Sequence, residues 1–282
     1  MSRILCVGIA TPDIINHVAE YPVEDSELRA LSQSRRMGGN AANTAVLLSQ
    51  LGHTVSWVGN LGPGGDIVEE TFRQHRVDAA AAVRLTTGGM PTSYVTLSES
   101  TGSRSIVHHR DLPEYEAEAF RELDLNRYDW VHFEGRAVDH LQVMLDMVQR
   151  HPRLGTSLEV EKPRDGIEAL FGKADVLLIS YVYALSRGFE NATSVLKSLP
   201  NGCLATCTWG AKGAWAVDEQ RRVLYEPALH LDRIVDTLGA GDVFNAGLIS
   251  ALCRGQPLES ALAGAVALAS SKCTHEGVEL GH

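Results

Sequence analysis

The chain reads DTLGAGD at residues 236–242 and continues as VFNAGLISAL through residue 252. Small residues followed by an apolar run with helical spacing place Gly239 to Gly241 at the N-terminus of a helix. There, unpaired backbone N–H groups and the positive end of the helix dipole attract anions, above all phosphate. Asp242 falls in the first turn, where the amides and the dipole favour its charged form and make it available as a proton acceptor. An anion site beside a base suits phosphoryl transfer.

The same stretch has a second interpretation, a tight glycine turn followed by a favourable first-turn carboxylate. Two other phosphate-binding motifs are excluded by inspection. Phe244 stands where a dinucleotide fingerprint needs its third small residue, and the string Gly-x4-Gly-Lys-Ser/Thr does not occur in the sequence. The sequence therefore predicts neither a Rossmann cofactor site nor a P-loop.

Composition limits the classes of partner. The chain has 282 residues, and a chain of that size buries roughly 75% of its unfolded surface on folding. Its formal net charge of −10 argues against nucleic acid and anionic membranes as partners. The 5 cysteines are an odd number in mostly apolar surroundings and show no zinc spacing, which favours reduced thiols. With no signal-peptide pattern and no apolar run of membrane-spanning length, we expect a cytoplasmic protein.

Apolar runs and helical periodicity alternate along most of the chain. Strands are predicted at residues 3–10, 55–59, 79–85, 130–133, 156–160, 176–180, 203–208, 214–217 and 223–225, and helices at 38–51, 65–75, 139–150, 191–199, 240–253 and 257–274. Such alternation predicts an α/β fold with a mainly parallel central sheet flanked by helices on both faces. We expect one domain over residues 1–282.

Two segments interrupt this alternation. Residues 14–36 have poor helical periodicity and many charges, and residues 92–99 and 103–109 alternate around the turn Ser100-Thr101-Gly102. We therefore expect a small β-sheet lid inserted at about 14–36 and 91–110, with Arg104 facing the mouth of the main domain. His108 and His109 are adjacent on a strand and face opposite ways, so they do not form a metal site together.

Several polar residues follow predicted strands or begin predicted helices. Ligands of open α/β sheets bind at the carboxyl ends of strands, so Asp13 is a candidate for binding hydroxyls, although an Asx-turn explains it equally. Asn40 is a plausible N-cap of the next helix and Asn43 lies three residues on. Two amides on one turn can bind a polyol, or the helix is simply capped and Asn43 solvated.

A glycine turn follows the strand at 203–208. The sequence continues through Gly210 to Gly213, and such a turn either lets a nucleotide approach the backbone or simply joins two strands of a hairpin. The residues themselves leave both interpretations open.

Two separated motifs together resemble the signatures of the ribokinase-like (PfkB) carbohydrate kinases: GGNAANTA at 38–45 and DTLGAGD at 236–242. Within this family the chain is most similar to the ketohexokinase branch, through YPVEDSELR at 21–29, VHFEGR at 131–136 and EVEKPR at 159–164. The likeness runs from Ile4 to about Gly277. It implies a ribokinase-like fold and ATP-dependent phosphorylation of a sugar, here a ketohexose such as fructose, to give fructose 1-phosphate.

The resemblance also implies residue roles. Asp242 would take the proton from a sugar hydroxyl, while the amides of Gly239, Ala240 and Gly241 form an anion hole for the γ-phosphate. Implied sugar ligands are Asp13, Gly39, Asn40, Asn43 and Arg104, with Asp25 reaching the sugar of a neighbouring subunit in a homodimer formed through the lids. The implied nucleotide site is Thr208, Gly210, Gly213 and Gly277.

The metal contacts are not assigned by the resemblance. Many relatives carry Asn-x-x-Glu for magnesium and phosphate, where this chain reads SYVY at 180–183. Glu159 and Glu161 are candidates for holding Mg²⁺ through water, since this ion keeps several waters, or they are a solvated strand end. The sequence also leaves open whether K⁺ binds near Asp236 and Thr237.

Two rival functions remain. The acceptor can be a nucleoside or an aldopentose such as ribose, but a nucleoside base needs an aromatic platform and the lid offers little beyond Tyr94 and Tyr21. The other rival function is that of a non-catalytic sugar-binding regulatory protein. The intact Asp242 beside its anion site argues against it.

Overall fold

The computed structural model describes residues 1–280 of the chain, so Gly281 and His282, which end the predicted domain, lie outside the described residues. It has a central sheet of 8 strands with helices on both faces and a separate sheet of 4 strands. This arrangement confirms the predicted α/β fold class with a small β-sheet lid. Within residues 1–280, none of the helices combines the length and the apolar character needed to cross a bilayer.

The elements are numbered in chain order. The strands are β1 (Arg3–Val7), β2 (Thr11–Val18), β3 (Ser32–Gly38), β4 (Thr54–Val58), β5 (Asn60–Leu61), β6 (Val83–Arg84), β7 (Thr92–Ser98), β8 (Arg104–His109), β9 (Trp130–Glu134), β10 (Gly155–Val160), β11 (Val176–Ser180), β12 (Leu204–Thr208), β13 (Ala214–Val217) and β14 (Val223–Glu226). The helices are α1 (Asn40–Gln50), α2 (Asp66–Gln74), α3 (Ala117–Arg121), α4 (Val138–Val148), α5 (Tyr181–Ser186), α6 (Ala192–Ser198), α7 (Ala240–Cys253) and α8 (Leu258–Lys272).

The central sheet has the strand order β14-β13-β12-β11-β10-β9-β1-β4. The strands from β4 to β12 pair in parallel, whereas β13 and β14 are added as antiparallel strands. The parallel strands are apolar almost throughout because helices cover both faces of the sheet. Their carboxyl ends meet at one edge, which is where α1 and the lid begin.

Each face of this sheet has its own apolar core. On β1, Ile4 and Cys6 pack into the core under α1, α2, α7 and α8, and Leu5 and Val7 pack into the core under α3 to α6. Side chains alternate in this way because successive residues of a strand face opposite sides. Residues 242–251 of α7 are all buried, so that helix is held on every side by α1, α8 and the sheet.

The lid is the four-stranded sheet β3-β2-β7-β8. The hairpin β7–β8 occurs where the sequence predicts it, but the first lid strand begins at Thr11 and β3 ends at Gly38. The predicted strand 3–10 therefore ends early, at Val7, because the residues that follow it pair with β3. Asp13 consequently lies inside lid strand β2 and not, as predicted, at the carboxyl end of a central strand.

Other predicted elements differ in length. The predicted strand 79–85 is reduced to β6, which pairs with β5 apart from the main sheet. The helix predicted at 257–274 is α8, which buries one face and exposes the other. Helices α3 and α5 were not predicted, because five or six residues are too few to show helical periodicity.

Gly39 joins the lid to α1, and its backbone geometry leads to a prediction about stability. Its φ is 96°, and a Cβ there would lie 2.4 Å from the Ile9 carbonyl oxygen. Gly52 has φ 88°, but a Cβ there meets no atom within 4 Å. Both alanine substitutions carry left-handed strain of about 1–2 kcal/mol, but only Gly39→Ala adds a collision with backbone. We expect Gly39→Ala to lower the free energy of unfolding by about 1–3 kcal/mol more than Gly52→Ala.

Urea denaturation of the two variants measures this difference. Equal losses of stability in Gly39→Ala and Gly52→Ala would contradict the prediction, because they would show that the backbone near Gly39 adjusts to the added Cβ without a loss of free energy.

Candidate active site

The candidate site lies where α1 and α7 begin, at the carboxyl edge of the parallel strands and under the lid. Its centre is Asp242, which is 6% exposed and accepts a hydrogen bond from Asn43 Nδ2 at 2.7 Å. The two helices therefore meet through a direct contact between their first turns. This contact brings together two residues that are far apart in the sequence and belong to the two motifs.

The electrostatic state of Asp242 differs from the sequence-based expectation. Burial raises its pKa well above the usual aspartate range, the Asn43 hydrogen bond opposes this, and the nearby Glu161, Glu134 and Asp13 carboxylates add to it. The expectation that helix amides and dipole favour the charged form is therefore wrong for this state. Desolvation and like charges outweigh them. The consequence is a more basic carboxylate.

The loop before α7 presents free amides. Gly239 is the N-cap of α7 with φ 81°, and the Ala240 N–H donates to the Thr237 carbonyl oxygen at 3.3 Å. Among residues 1–280, the N–H groups of Gly239 and Gly241 have no hydrogen-bond partner. A Cβ on Gly241 would meet nothing within 4 Å, so the space beside the helix N-terminus is open. Two unpaired amides at a helix start form an anion site.

Asp236 is the first residue of the same loop, and its pKa is shifted in the opposite direction from that of Asp242. Its Oδ1 accepts from the Leu238 N–H at 2.8 Å, and its Oδ2 lies 3.2 Å from both Arg36 Nη1 and Lys272 Nζ. Burial opposes ionisation, but the Leu238 amide and the two cations outweigh it and hold the Asp236 pKa below its usual value. Asp236 is therefore an ionised anchor of the loop.

A second set of contacts joins α1 and α7 through β10. Asn40 Nδ2 donates to Glu159 Oε1 at 3.0 Å and to Glu161 Oε2 at 3.2 Å, and Asn245 Nδ2 donates to the same Glu159 oxygen at 3.1 Å. The prediction that Asn40 is the N-cap is wrong. Gly39 occupies that position, and Asn40 is the first helical residue with its side chain directed to the two glutamates.

Asp13 faces the same site from the lid. Its Oδ1 accepts from Thr11 Oγ1 at 2.7 Å, and a Cβ on Gly38 would lie 2.1 Å from its Oδ2. Gly38 therefore makes room for this carboxylate. Burial raises the pKa of Asp13, while hydrogen bonds from Thr11 and Ser93 and the charge of Arg36 act in the other direction. Asp13 is close enough to Asp242 to raise the pKa of that residue.

Glu134 is a site residue that the sequence analysis did not single out. It ends β9, is 8% exposed, and its Oε2 accepts from the Ile9 N–H at 2.9 Å and the Ala41 N–H at 3.4 Å. It thus joins the strand leading into the lid to the start of α1. Asn245 was also missed, although its position one helical turn after Asp242 was a usable signal.

Three of the predicted nucleotide residues, Thr208, Gly210 and Gly213, lie at the end of β12 and in the turn to β13, whereas Gly277 lies beside the loop before α7. Gly213 has φ 91° and a Cβ there would lie 2.1 Å from the Glu226 carbonyl oxygen, so the hairpin between β12 and β13 explains this glycine. A Cβ on Gly210 meets nothing within 4 Å. Thr208 ends β12 beside Trp209, and the Gly277 N–H donates to Asp236 Oδ2 at 3.3 Å.

The lid carries the last two predicted residues. Arg104, which the sequence predicted to face the mouth of the main domain, donates from Nη1 to Thr237 Oγ1 in the loop before α7 at 2.9 Å. Asp25 has φ 61° in an exposed turn between β2 and β3. Within the part of the chain that the structure describes, its side chain makes no hydrogen bond or ion pair with the other site residues.

The carboxylates of the site are suited to a hard cation. Glu159 Oε2 is buried without a partner among the described residues, and burial followed by the charges of Asp242, Glu134 and Glu161 raises the pKa of Glu159. No group of three His, Cys, Asp or Glu side chains in residues 1–280 is arranged as a metal site. These residues therefore fit a divalent ion that takes its inner ligands from phosphate and water.

The sequence was compared with protein families and with characterised proteins. The model of the pfkB family carbohydrate kinases matches residues 1–281. A mouse (Mus musculus) protein named ketohexokinase is 36% identical over 98% of both chains. Fructosamine kinase FrlD of Bacillus subtilis is 29% identical over 84% of this chain and 83% of its own.

Solved structures show the same fold at lower identity. A ribokinase from Cryptococcus neoformans in complex with ADP has a TM-score of 0.80 at 21% identity, covering 99% of this chain and 96% of the other. A ribokinase from Giardia lamblia has a TM-score of 0.84 at 17% identity, with coverages of 99% and 96%. Together with the family match over nearly the whole chain, these findings show that the protein belongs to the pfkB family and is an ATP-dependent carbohydrate kinase with a ribokinase-like fold.

Proposed function

We propose that the protein transfers the γ-phosphate of MgATP to the primary hydroxyl of a ketohexose such as fructose, giving fructose 1-phosphate. The observation that carries the proposal is Asp242, a buried carboxylate of raised pKa standing beside the unpaired amides of Gly239 and Gly241. The 36% identity with the mouse protein named ketohexokinase supports the choice of sugar.

In this mechanism Asp242 is the general base. It takes the proton of the sugar hydroxyl as that oxygen forms its bond to the γ-phosphorus and the bond to the bridging oxygen of the β-phosphate breaks. The electron pair of the broken bond leaves with ADP. The raised pKa of Asp242 supports this role because proton transfer is most favourable when the pKa of the base is near the working pH.

The loop amides stabilise the charge on the transferring phosphoryl group. Gly239 and Gly241 supply N–H groups that are unpaired in the described residues, and Ala240 supplies a third once its 3.3 Å contact with Thr237 opens. Fixed donors at the place where charge develops lower the barrier without reorganisation during the reaction. Lid closure over the loop would exclude water.

The sugar lies between the lid and α1 in this proposal. Asn43 Oδ1 is buried without a partner among the described residues and is a ready acceptor for a sugar hydroxyl. Asp13 supplies a second acceptor from the lid, and Arg104 reaches the same mouth through Thr237. The remaining sugar ligands are Gly39 and Asn40, at the start of α1.

The nucleotide and the metal complete the site. We place ATP along Thr208, Gly210, Gly213 and Gly277, with its phosphates at the loop before α7. Glu159 and Glu161 would hold Mg²⁺ through water. The ion would neutralise phosphate charge, and the contact of both glutamates with Asn40 ties this position to the sugar side.

A coupled assay of ADP release over fructose, ribose and adenosine tests the proposal against its rivals. We expect the highest kcat/KM with fructose. ADP release only with ribose or adenosine would instead indicate a kinase of an aldopentose or a nucleoside. Absence of release with every acceptor, while sugar still binds, would indicate a non-catalytic binding protein.

Removal of the base tests the mechanism. Asp242→Asn keeps the shape but not the proton acceptor, so kcat should fall by roughly 10² to 10⁴. Asp232→Asn, an exposed neighbour in the preceding segment, is the matched control and should leave kcat unchanged. Turnover of Asp242→Asn near the wild-type level would refute the assignment.

The pH dependence of kcat provides a further prediction. Only the ionised Asp242 accepts a proton, and its pKa is raised, so kcat should increase with pH through a pKa above the usual aspartate value. The Asn43 hydrogen bond lowers this pKa, so Asn43→Leu should move the acid limb to higher pH. The control is Asn126→Leu on an exposed turn, and saturating sugar removes binding effects. A limb that stays in place or moves to lower pH would contradict the prediction.

We also propose that two lids pair to form a homodimer in which Asp25 reaches the sugar of the neighbouring subunit. The lid supports this with Tyr94 and Val107, which pair across β7 and β8 and are 47% and 70% exposed. Neighbouring exposed apolar side chains of this kind are suited to a protein interface. Sedimentation velocity should show a dimer for the wild type and a monomer for Val107→Asp. A monomeric wild type would contradict the proposed homodimer.

A further inference from the structure

Lys272 is a buried cation that the mechanism above does not use. It is the last residue of α8 and is 1% exposed. Its Nζ donates to the Asp236 carbonyl oxygen at 2.6 Å and lies 3.2 Å from Asp236 Oδ2. An ammonium is costly to bury unless it is paired and hydrogen-bonded. Both of these partners belong to one residue, the first of the loop that leads to the free amides.

Arg36 approaches the same carboxylate from the lid. Its Nη1 and Nη2 each lie 3.2 Å from Asp236 Oδ2. Arg36 stands on β3 directly opposite Asp13 of β2. Asp236 therefore receives one cation from the main domain and one from the strand that pairs with a proposed sugar ligand.

Every hydrogen-bonding atom of Asp236 is occupied. Its N–H donates to the Cys273 carbonyl oxygen at 3.4 Å, and its Oδ1 accepts from the Leu238 N–H at 2.8 Å. Its carbonyl oxygen accepts from Lys272, and its Oδ2 accepts from Arg36 and from the Gly277 N–H. A free monovalent cation at Asp236 would have to share these oxygens with the Lys272 ammonium and the Arg36 guanidinium. Two fixed positive charges already neutralise the carboxylate.

The orientation of Asp236 sets the direction of the phosphate-binding amides. Its bond to the Leu238 N–H closes a turn directly before Gly239, whose φ of 81° starts α7. If Asp236 turns away, the backbone from Leu238 to Gly241 loses the constraint that aims its N–H groups outward. Catalytic groups that move by about 1 Å can lose up to 100-fold in rate.

We propose that Lys272 and Arg36 are positioning residues for phosphoryl transfer, acting as built-in monovalent cations. They hold Asp236, and through it the Gly239 to Gly241 amides, in the phosphate-accepting arrangement, so that turnover needs no K⁺ or other free monovalent cation. This inference rests on the proposed kinase role of the loop. It answers the question of K⁺ at Asp236 and Thr237 that the sequence left open.

Replacement of the ammonium tests the inference. Wild-type kcat should be the same within about twofold in potassium and in choline buffers of equal ionic strength. Lys272→Met should lose roughly 10- to 100-fold of kcat in choline and recover part of it in potassium or ammonium, because the Asp236 oxygens become available as ligands. Sugar KM should change less than kcat. Arg36→Gln should show a smaller loss, and Arg35→Gln, the exposed neighbour on the same strand, none.

A second measurement does not depend on turnover. Hydrogen–deuterium exchange of the peptide covering residues 236–241 should be faster in Lys272→Met than in the wild type, and K⁺ should slow it again. A residue that only stabilises the fold would lower the melting temperature without a cation-dependent change confined to this peptide. If Lys272→Met does not fold, Arg36→Gln in choline carries both measurements.

The outcomes separate this inference from the proposed function. A wild type that loses most of its turnover in choline overturns the inference. So does a folded Lys272→Met whose loop exchange and kcat match the wild type. If the wild type phosphorylates no sugar, the proposed function fails, and the exchange of the loop in potassium and choline still decides whether Lys272 replaces a free cation.

Discussion

The candidate site depends on the surroundings of two aspartates, Asp236 and Asp242, which lie at the two ends of one short loop. Asp236 is surrounded by backbone donors and by Arg36 and Lys272, which keep it ionised. Asp242 has no ion pair among the described residues and only the Asn43 amide as a donor, so burial raises its pKa. The pKa of one carboxylate is thereby lowered and the pKa of the other is raised. Identical side chains have opposite pKa shifts because their surroundings supply different numbers of donors and charges.

The packing of α7 allows the fold to tolerate the buried Asp242 carboxylate. The buried residues of α7 fix the helix between α1, α8 and the sheet, so its first turn can hold a buried carboxylate whose one hydrogen bond comes from Asn43. The same packing leaves the Gly239 and Gly241 amides at an open edge. Stability therefore comes from the apolar body of the helix, and the candidate site lies at its N-terminal end.

The lid is connected to the loop before α7 by two arginines. Arg36 on β3 pairs with Asp236, and Arg104 on β8 donates to Thr237. The lid also carries Asp13, whose charge raises the pKa of Asp242. The lid and the loop that carries the free amides are therefore directly connected, because two lid strands contact that loop. Charged and polar contacts make this link.

The sequence by itself determined the fold class, the lid hairpin, the helix that begins at Ala240 and the pairing of two motifs, because periodicity and glycine placement are local properties of the chain. It could not determine that Asn40 binds Glu159 rather than capping its helix, or that Asp13 belongs to the lid. Those depend on strand pairing between distant segments. The raised pKa of Asp242 and the burial of Lys272 were likewise decided only by tertiary structure, because desolvation depends on what surrounds a group in space and not on its neighbours in sequence.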